Sequence, residues 1–163
     1  MKATLLTFLL IATACSPDTA SRRRAEAAAD SGFAGVQDRG EQAMGVDQYT
    51  STHVFEPLPD GGRISLQRDT VDSAGIAQVR RHMEQIAAAF GSGDFSLPGV
   101  VHAQEVPGTD VMAARREAIS YTVESLPRGA AVRLQTADTA AVRAIHEFLA
   151  FQRSDHHAAD THD

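Results

Sequence analysis

The chain has 163 residues, of which 22% are charged, with a formal net charge of −6 and a single cysteine. This length allows one small domain, and one cysteine excludes an intramolecular disulfide. The acidic balance argues against a nucleic-acid-binding protein, because such proteins present a basic face to the phosphates.

Residues 1–14 predict a secretory signal peptide, since a short basic start precedes an apolar run. A run of about 12 residues would span roughly 18 Å as a helix, which is too short for a bilayer core of about 30 Å. The segment before Cys15 resembles a bacterial lipobox, with Ala12 where that motif usually has Leu. We therefore expect Cys15 to be lipidated, and Ser16 points to the outer membrane in this lipoprotein pattern. The alternative is cleavage that leaves Cys15 as a free thiol.

Residues 15–43 predict a disordered tether, because Phe33 and Val36 are their only sizeable apolar side chains after the cysteine. The arginines at 22–24 could lie against anionic headgroups, although a solvated charge run is the simpler interpretation. The globular part is then 44–153, and its roughly 110 residues suffice for one modest core.

One stretch of this globular part occurs twice, because Thr52–Gln67 aligns with Ser120–Gln135 after a shift of 68 residues. Each copy has two alternating runs around a Pro/Gly turn, which is the pattern of a β-hairpin. Alternation predicts one covered and one wet face. The covered face would contain Ile64, Leu66, Ile119, Tyr121, Val123, Val132 and Leu134.

A helical pattern follows each hairpin. One helix should begin after Asp72 and end near Phe90, and the other should begin after Asp138 and end near Arg153. Both have apolar residues at i, i+3 and i+7. We predict an α+β fold in which a ββα–ββα pseudo-repeat forms a four-stranded antiparallel sheet with two helices packed on one face. Chance similarity between two hairpins is the alternative to a true repeat.

The two halves are joined by a long segment, residues 91–109, which is predicted to be a loop with a functional or lid-like role. Thr109 and Asp110 should begin a short helix that ends near Glu117.

A family resemblance rests on MGVDQ at 44–48, TH at 52–53, DGG at 60–62, GDFSLP at 93–98 and HEFLAFQ at 146–152. These segments are similar to an uncharacterised bacterial family with an MGFDQ…TTHHF opening, a GDFxxP loop and a HEFLxFQ…DH end. The resemblance implies membership and no established activity.

Some members of that family are labelled aspartate carbamoyltransferase, but residues 44–153 are too short for that two-domain fold and contain no Ser-Thr-Arg-Thr phosphate loop. The chain has Val54 where the family has a second adjacent histidine. The chain would be an exported lipoprotein member of the family.

The seven histidines predict a metal site, since imidazole suits zinc and copper. The candidate ligands are His53, His82, His102 and His146. Each has a plainer interpretation: His53 as a half-buried strand residue, His82 and His146 as polar edges of helices, and His102 as a loop residue near acids.

The tail, residues 154–163, is rich in His and Asp and is predicted to be disordered. Its His156, His157 and His162 could form a labile second metal site. No catalytic residues are predicted, because the chain has no G-x-S-x-G motif and its serines have no base that the sequence reveals.

Together these patterns favour a lipid-anchored envelope protein with a small binding domain, in which a divalent metal is the sharper hypothesis for the ligand. One alternative is a small hydrolase or transferase with residues 91–109 as a lid. The other is a structural lipoprotein that binds a protein partner.

Overall fold

The protein is described by a computed structural model over residues 31–43, 45 and 48–156. The predicted signal peptide, Cys15 and the tail residues His157 and His162 lie outside this range. None of the described helices is long and apolar enough to cross a membrane.

Four antiparallel strands form a single sheet in the order β1-β2-β4-β3. The strands are β1 Ser51–Leu58, β2 Gly61–Arg68, β3 Ser120–Leu126 and β4 Gly129–Gln135. The predicted α+β class and the four-stranded antiparallel sheet are therefore confirmed. Each hairpin closes through two residues between its strands, as the Pro/Gly turns predict.

The two hairpins have the same register relative to the 68-residue shift. Ser51 pairs with Arg68 at the open end of the first hairpin, and Ser120 pairs with Gln135 one residue further in at the second. At the junction of the hairpins Ile64 pairs with Val132. The 68-residue shift aligns the same two residues, so each pairs with its equivalent in the other copy. The sheet is therefore compatible with a repeat, while the pseudo-repeat itself stays a prediction.

Within the described part of the chain, five helices accompany the sheet. They are α1 at 31–43, α2 Ser73–Ser92, α3 Ser96–His102, α4 Thr109–Ala114 and α5 Thr139–Asp155, with 3-10 turns at Gln48–Thr50 and Arg116–Ala118. The long helices begin where the sequence predicts. Asp72 accepts hydrogen bonds from Ala74 N and Gly75 N, and Asp138 does the same for Ala140 N and Ala141 N.

Each long helix covers the hairpin that it does not follow. α2 packs mainly against β4 and β3, whereas α5 packs against β2 and β1. Both helices contribute to one apolar core with the same face of the sheet, as predicted. Residues with no exposed surface at its centre are Leu66, Val79, Val132, Leu134, Ile145 and Leu149.

Two side chains depart from the predicted covered face. Val123 has 36% of its surface exposed and Tyr121 is half-buried, because both lie on β3, an edge strand. On the opposite face, Arg63 Nε and Glu124 Oε2 form an ion pair of 2.9 Å that reaches across β4. Ala131 is the β4 partner of Glu124 in the sheet, and it is fully buried.

The predicted tether differs from the structure at residues 31–43, which form α1. This helix buries Val36 and Gln37, and Arg39 Nε donates a hydrogen bond of 2.7 Å to the carbonyl of Val101. The two apolar residues noted in the sequence were too few to indicate a packed helix. Contacts with the distant α3 supply the partner that composition alone does not reveal.

The predicted loop at 91–109 also differs, because α3 lies within it. Its C-terminal neighbour Ala103 has φ of 53°, which ends the helix in a left-handed conformation. The following helix α4 begins at Thr109 as predicted and ends at Ala114, before the 3-10 turn. The α5 helix continues to Asp155, two residues beyond the predicted end of the domain.

The core stripe can be tested with two matched valine substitutions. Val79→Ala should lower the free energy of unfolding by about 2–3 kcal/mol, because it leaves a cavity between α2 and the sheet. Val71 is 87% exposed, so Val71→Ala should change the same quantity by less than about 0.5 kcal/mol. Chemical denaturation measures both, and equal effects would show that Val79 is not a core residue.

Candidate functional site

A small cavity lies between the helix-covered face of the sheet and α2, α3 and α5. Its volume is about 60 Å³. Most of the lining is apolar, but four histidines from four different parts of the chain reach it. The lining residues are His53, Phe55, Ile64, His82, Met83, Ile86, Phe90, Leu97, Pro98, Val101, His102, Phe148, Gln152 and His156.

His53 comes from β1, where it pairs with Leu66 and faces the helices as strand alternation predicts. Part of the residue is exposed, but its ring nitrogen Nδ1 is buried and has no hydrogen-bond partner within the described part of the chain. Burial, followed by the nearby His156, His82 and His102, puts the pKa of His53 well below its usual value. Its ring is therefore neutral at pH 7, with one lone pair available.

His82 comes from α2 and is buried, with 5% of its surface exposed. Burial lowers its pKa to about 4. The sequence places His82 at the edge of the apolar stripe, and the structure shows that this edge faces the cavity. His82 is therefore buried at the cavity, which side chains of α3 and α5 also line.

His102 is the last residue of α3 and is buried between two side chains of α5. Its Nδ1 donates a hydrogen bond to the carboxylate of Asp155, and its Nε2 lies 2.9 Å from Oε1 of Gln152. The ring also stands edge-on to Phe151, with centroids 5.0 Å apart. Both ring nitrogens are therefore engaged, and the orientation of the imidazole is fixed by the end of α5.

His156 directly follows α5 and caps it, since its backbone N–H donates to the carbonyl of Gln152 at 3.0 Å. The residue is buried with 8% exposure, so it is part of the domain rather than of the predicted disordered tail. Burial lowers its pKa to about 4, with a smaller contribution from His102, while Asp155 opposes the shift.

The His156 ring lies between the rings of His53 and His102. Its centroid is 5.2 Å from that of His53 and 5.0 Å from that of His102. These three imidazoles form a continuous group that we call the histidine triplet. The triplet and His82 line the same cavity.

His146 does not belong to this site. Its Nε2 lies 2.9 Å from the carbonyl of Leu58 and 3.0 Å from that of Gly61, so it donates to the turn between β1 and β2. The sequence placed His146 beside an apolar stripe, just as it placed His82. Only the packing direction of the helix distinguishes the two residues.

The nitrogens of the cavity do not converge as they stand. Within residues 31–43, 45 and 48–156, no three His, Cys, Asp or Glu side chains are grouped closely enough to hold a metal ion. The cavity lining also contains no Ser, Thr, Cys or Lys that could act as a nucleophile. The His102–Asp155 pair therefore has no reactive partner among the lining side chains.

The sequence patterns did not indicate that Gln152 and Asp155 belong to the site. They also placed His156 in the tail rather than at the cavity. A signal for two of these residues is present, because Phe148, Gln152 and His156 follow one another at steps of four residues. This spacing extends the buried stripe of α5 by one turn. Because Gln152 and His156 are polar, the pattern of apolar residues does not show that the buried stripe continues to them.

In comparisons with known proteins, the chain matches no protein-family model, no curated protein and no solved structure. The family resemblance of the sequence therefore stays a prediction.

The buried histidines predict a dependence of stability on pH. Because the pKa of His82 is about 4 in the folded protein, the unfolded chain binds more protons between pH 4 and about 6.5. Stability is therefore fully present above pH 6.5 and is lost as the pH falls toward 4. In the presence of a chelator, His82→Leu should reduce this loss by on the order of 1–3 kcal/mol. Thermal unfolding at several pH values measures it, and equal losses in both proteins would contradict the assignment.

Proposed function

We propose that this protein is a lipid-anchored protein of the cell envelope whose domain binds a divalent transition-metal ion, zinc or copper, in the histidine-lined cavity. The sequence before and at Cys15 supports the anchor. The cavity and its imidazoles support the metal.

One observation carries the metal proposal. Nδ1 of His53 has no hydrogen-bond partner among the described residues, and it lies at the wall of a cavity that three further histidines line. A buried polar group without a partner costs about 1–3 kcal/mol. Such a group in a native structure calls for an explanation, and a bound ion or water is the usual one. Imidazole nitrogens are preferred ligands of zinc and copper.

The spacing of the histidine triplet supports the same ligand. With Zn–N bonds of about 2.0–2.1 Å, two imidazoles on a tetrahedral ion have ring centroids roughly 5 Å apart. The two measured separations, 5.0 and 5.2 Å, agree with that value. Binding then requires the rings of His53 and His156 to rotate so that their nitrogens and that of His102 point to a common centre.

The size of the cavity favours an ion over an organic substrate. Pockets for drug-sized molecules have volumes of about 300–1,000 Å³, whereas this cavity has about 60 Å³. The predicted lid does contribute, because α3 supplies Leu97, Pro98 and Val101 to the lining. A hydrolase or transferase would need a larger cavity for its substrate, and one that forms a covalent intermediate would also need a nucleophile, which the lining lacks. A structural lipoprotein would leave the nitrogen of His53 unexplained.

The anchor can be tested by Cys15→Ser. Loss of the lipidated thiol should move the protein from the membrane fraction to the soluble fraction, since only the acyl chains hold it there. Cell fractionation followed by mass analysis of the mature N-terminus makes the measurement. A wild-type protein that fractionates as soluble, with an unmodified Cys15, would contradict the anchor.

The metal site can be tested by calorimetric titration of the mature protein with zinc and copper. The background protein for every titration carries His157→Gln and His162→Gln, so that these tail histidines cannot bind the added ions. We expect sub-micromolar binding that His53→Ala or His156→Gln weakens at least tenfold, about 1.4 kcal/mol, because each removes one of three imidazoles.

His146→Gln is the matched control. It also removes one imidazole from the chain, but its amide can still donate to the carbonyls of the β1–β2 turn. Binding should therefore stay within twofold of the background protein. Equal losses in His146→Gln and His156→Gln, or binding that disappears with the tail histidines alone, would contradict the proposed site.

A further inference from the structure

We infer that two residues of α5 control the ligating nitrogen of His102. Asp155 is a positioning residue that keeps the ring proton on Nδ1, so that Nε2 is the atom that binds the ion. Gln152 covers Nε2 while the site is free and is displaced when the ion binds. This inference rests on the proposed metal site and adds to it the atom, the tautomer and the residue that must move.

The role of Asp155 follows from the contact between its carboxylate and Nδ1 of His102. A carboxylate only accepts, so Nδ1 must carry the proton. The lone pair of a singly protonated ring is then on Nε2. In metal proteins a carboxylate behind a ligating histidine fixes the ring in this way and raises its basicity as a ligand.

The role of Gln152 follows from its position 2.9 Å from Nε2. Its side chain is buried and lines the cavity, with 4% of the residue exposed. Its amide oxygen Oε1 faces Nε2, and a rotation of the amide by 180° instead presents the NH2 group, which can donate to the Nε2 lone pair. The lone pair is thus satisfied in the free state, and the ion must replace this hydrogen bond.

These contacts also distinguish His102 from the other members of the triplet. His102 has both ring nitrogens engaged, whereas Nδ1 of His53 has no partner within the described residues. The triplet therefore combines a preoriented ligand with an unsatisfied one. Removal of Asp155 should loosen the first and leave the second intact, so binding should weaken without being abolished.

The test compares Asp155→Ala with Glu147→Ala, which removes an exposed carboxylate from the same helix. Asp155 has a side chain that is 31% exposed, so its removal leaves no closed cavity. We expect Asp155→Ala to weaken zinc binding about 10–100-fold, and Glu147→Ala to leave it within twofold. Competition with a chromophoric chelator measures both affinities.

A second readout reports the tautomer directly, without metal. In long-range ¹H–¹⁵N spectra His102 should carry its proton on Nδ1 in the wild-type protein and on Nε2 in Asp155→Ala, where Gln152 becomes the acceptor. A role limited to helix stability would leave the tautomer unchanged. The same tautomer in both proteins, or zinc affinity unaffected by Asp155→Ala, would overturn the positioning role.

Gln152→Leu tests the displaced residue. Without the competing amide, zinc affinity should equal or exceed that of the wild-type protein, and a tenfold loss would show that Gln152 is itself a ligand and overturn its assigned role. Wild-type protein that binds neither zinc nor copper would instead contradict the proposed function. Wild-type binding that Asp155→Ala leaves intact would contradict only this inference.

Discussion

The pairing of β2 with β4 is the constraint on which the rest of the structure depends. It joins two hairpins, each too small to be stable alone in water, into one four-stranded sheet. Ile64 and Val132 meet at the centre of this junction, and both are buried. Because the two central strands come from different halves of the chain, the helix that follows each half finds its apolar surface on the opposite hairpin.

This crossing of the helices also creates the candidate site. α5 lies over β2 and β1, so its C-terminal end reaches the start of β1, where His53 is located. α2 brings His82 to the same region, and α3 closes it with His102. The four histidines meet because of tertiary packing, as they lie in β1, α2, α3 and the residue after α5.

The site has two layers with different chemistry. Apolar side chains such as Phe55 and Phe148 line the cavity beside the imidazoles, and burial keeps the neutral form of His82 and His156 dominant at pH 7. At the outer side, Asp155 and Gln152 fix the ring of His102. An apolar lining around the imidazoles, together with polar side chains that orient a ring, is the arrangement that a small imidazole site requires.

The sequence by itself determined the strands, the turns and both capped helices, because each depends on local rules: alternation, Pro/Gly turns and an Asp before the first turn of a helix. It also indicated that His53 faces inward, since the 68-residue shift aligns it with Tyr121 on the predicted covered face. These features need no information from distant parts of the chain.

Only the tertiary structure decided which histidines meet. His82 and His146 have the same position relative to their apolar stripes, yet one faces the cavity and the other holds a turn. α1 and α3 likewise owe their packed positions to contacts between distant segments, such as Arg39 with Val101. His156 was assigned to the tail because a polar end of a helix has no local mark of burial. Helix periodicity defines a face, but the neighbours that cover that face come from elsewhere in the chain.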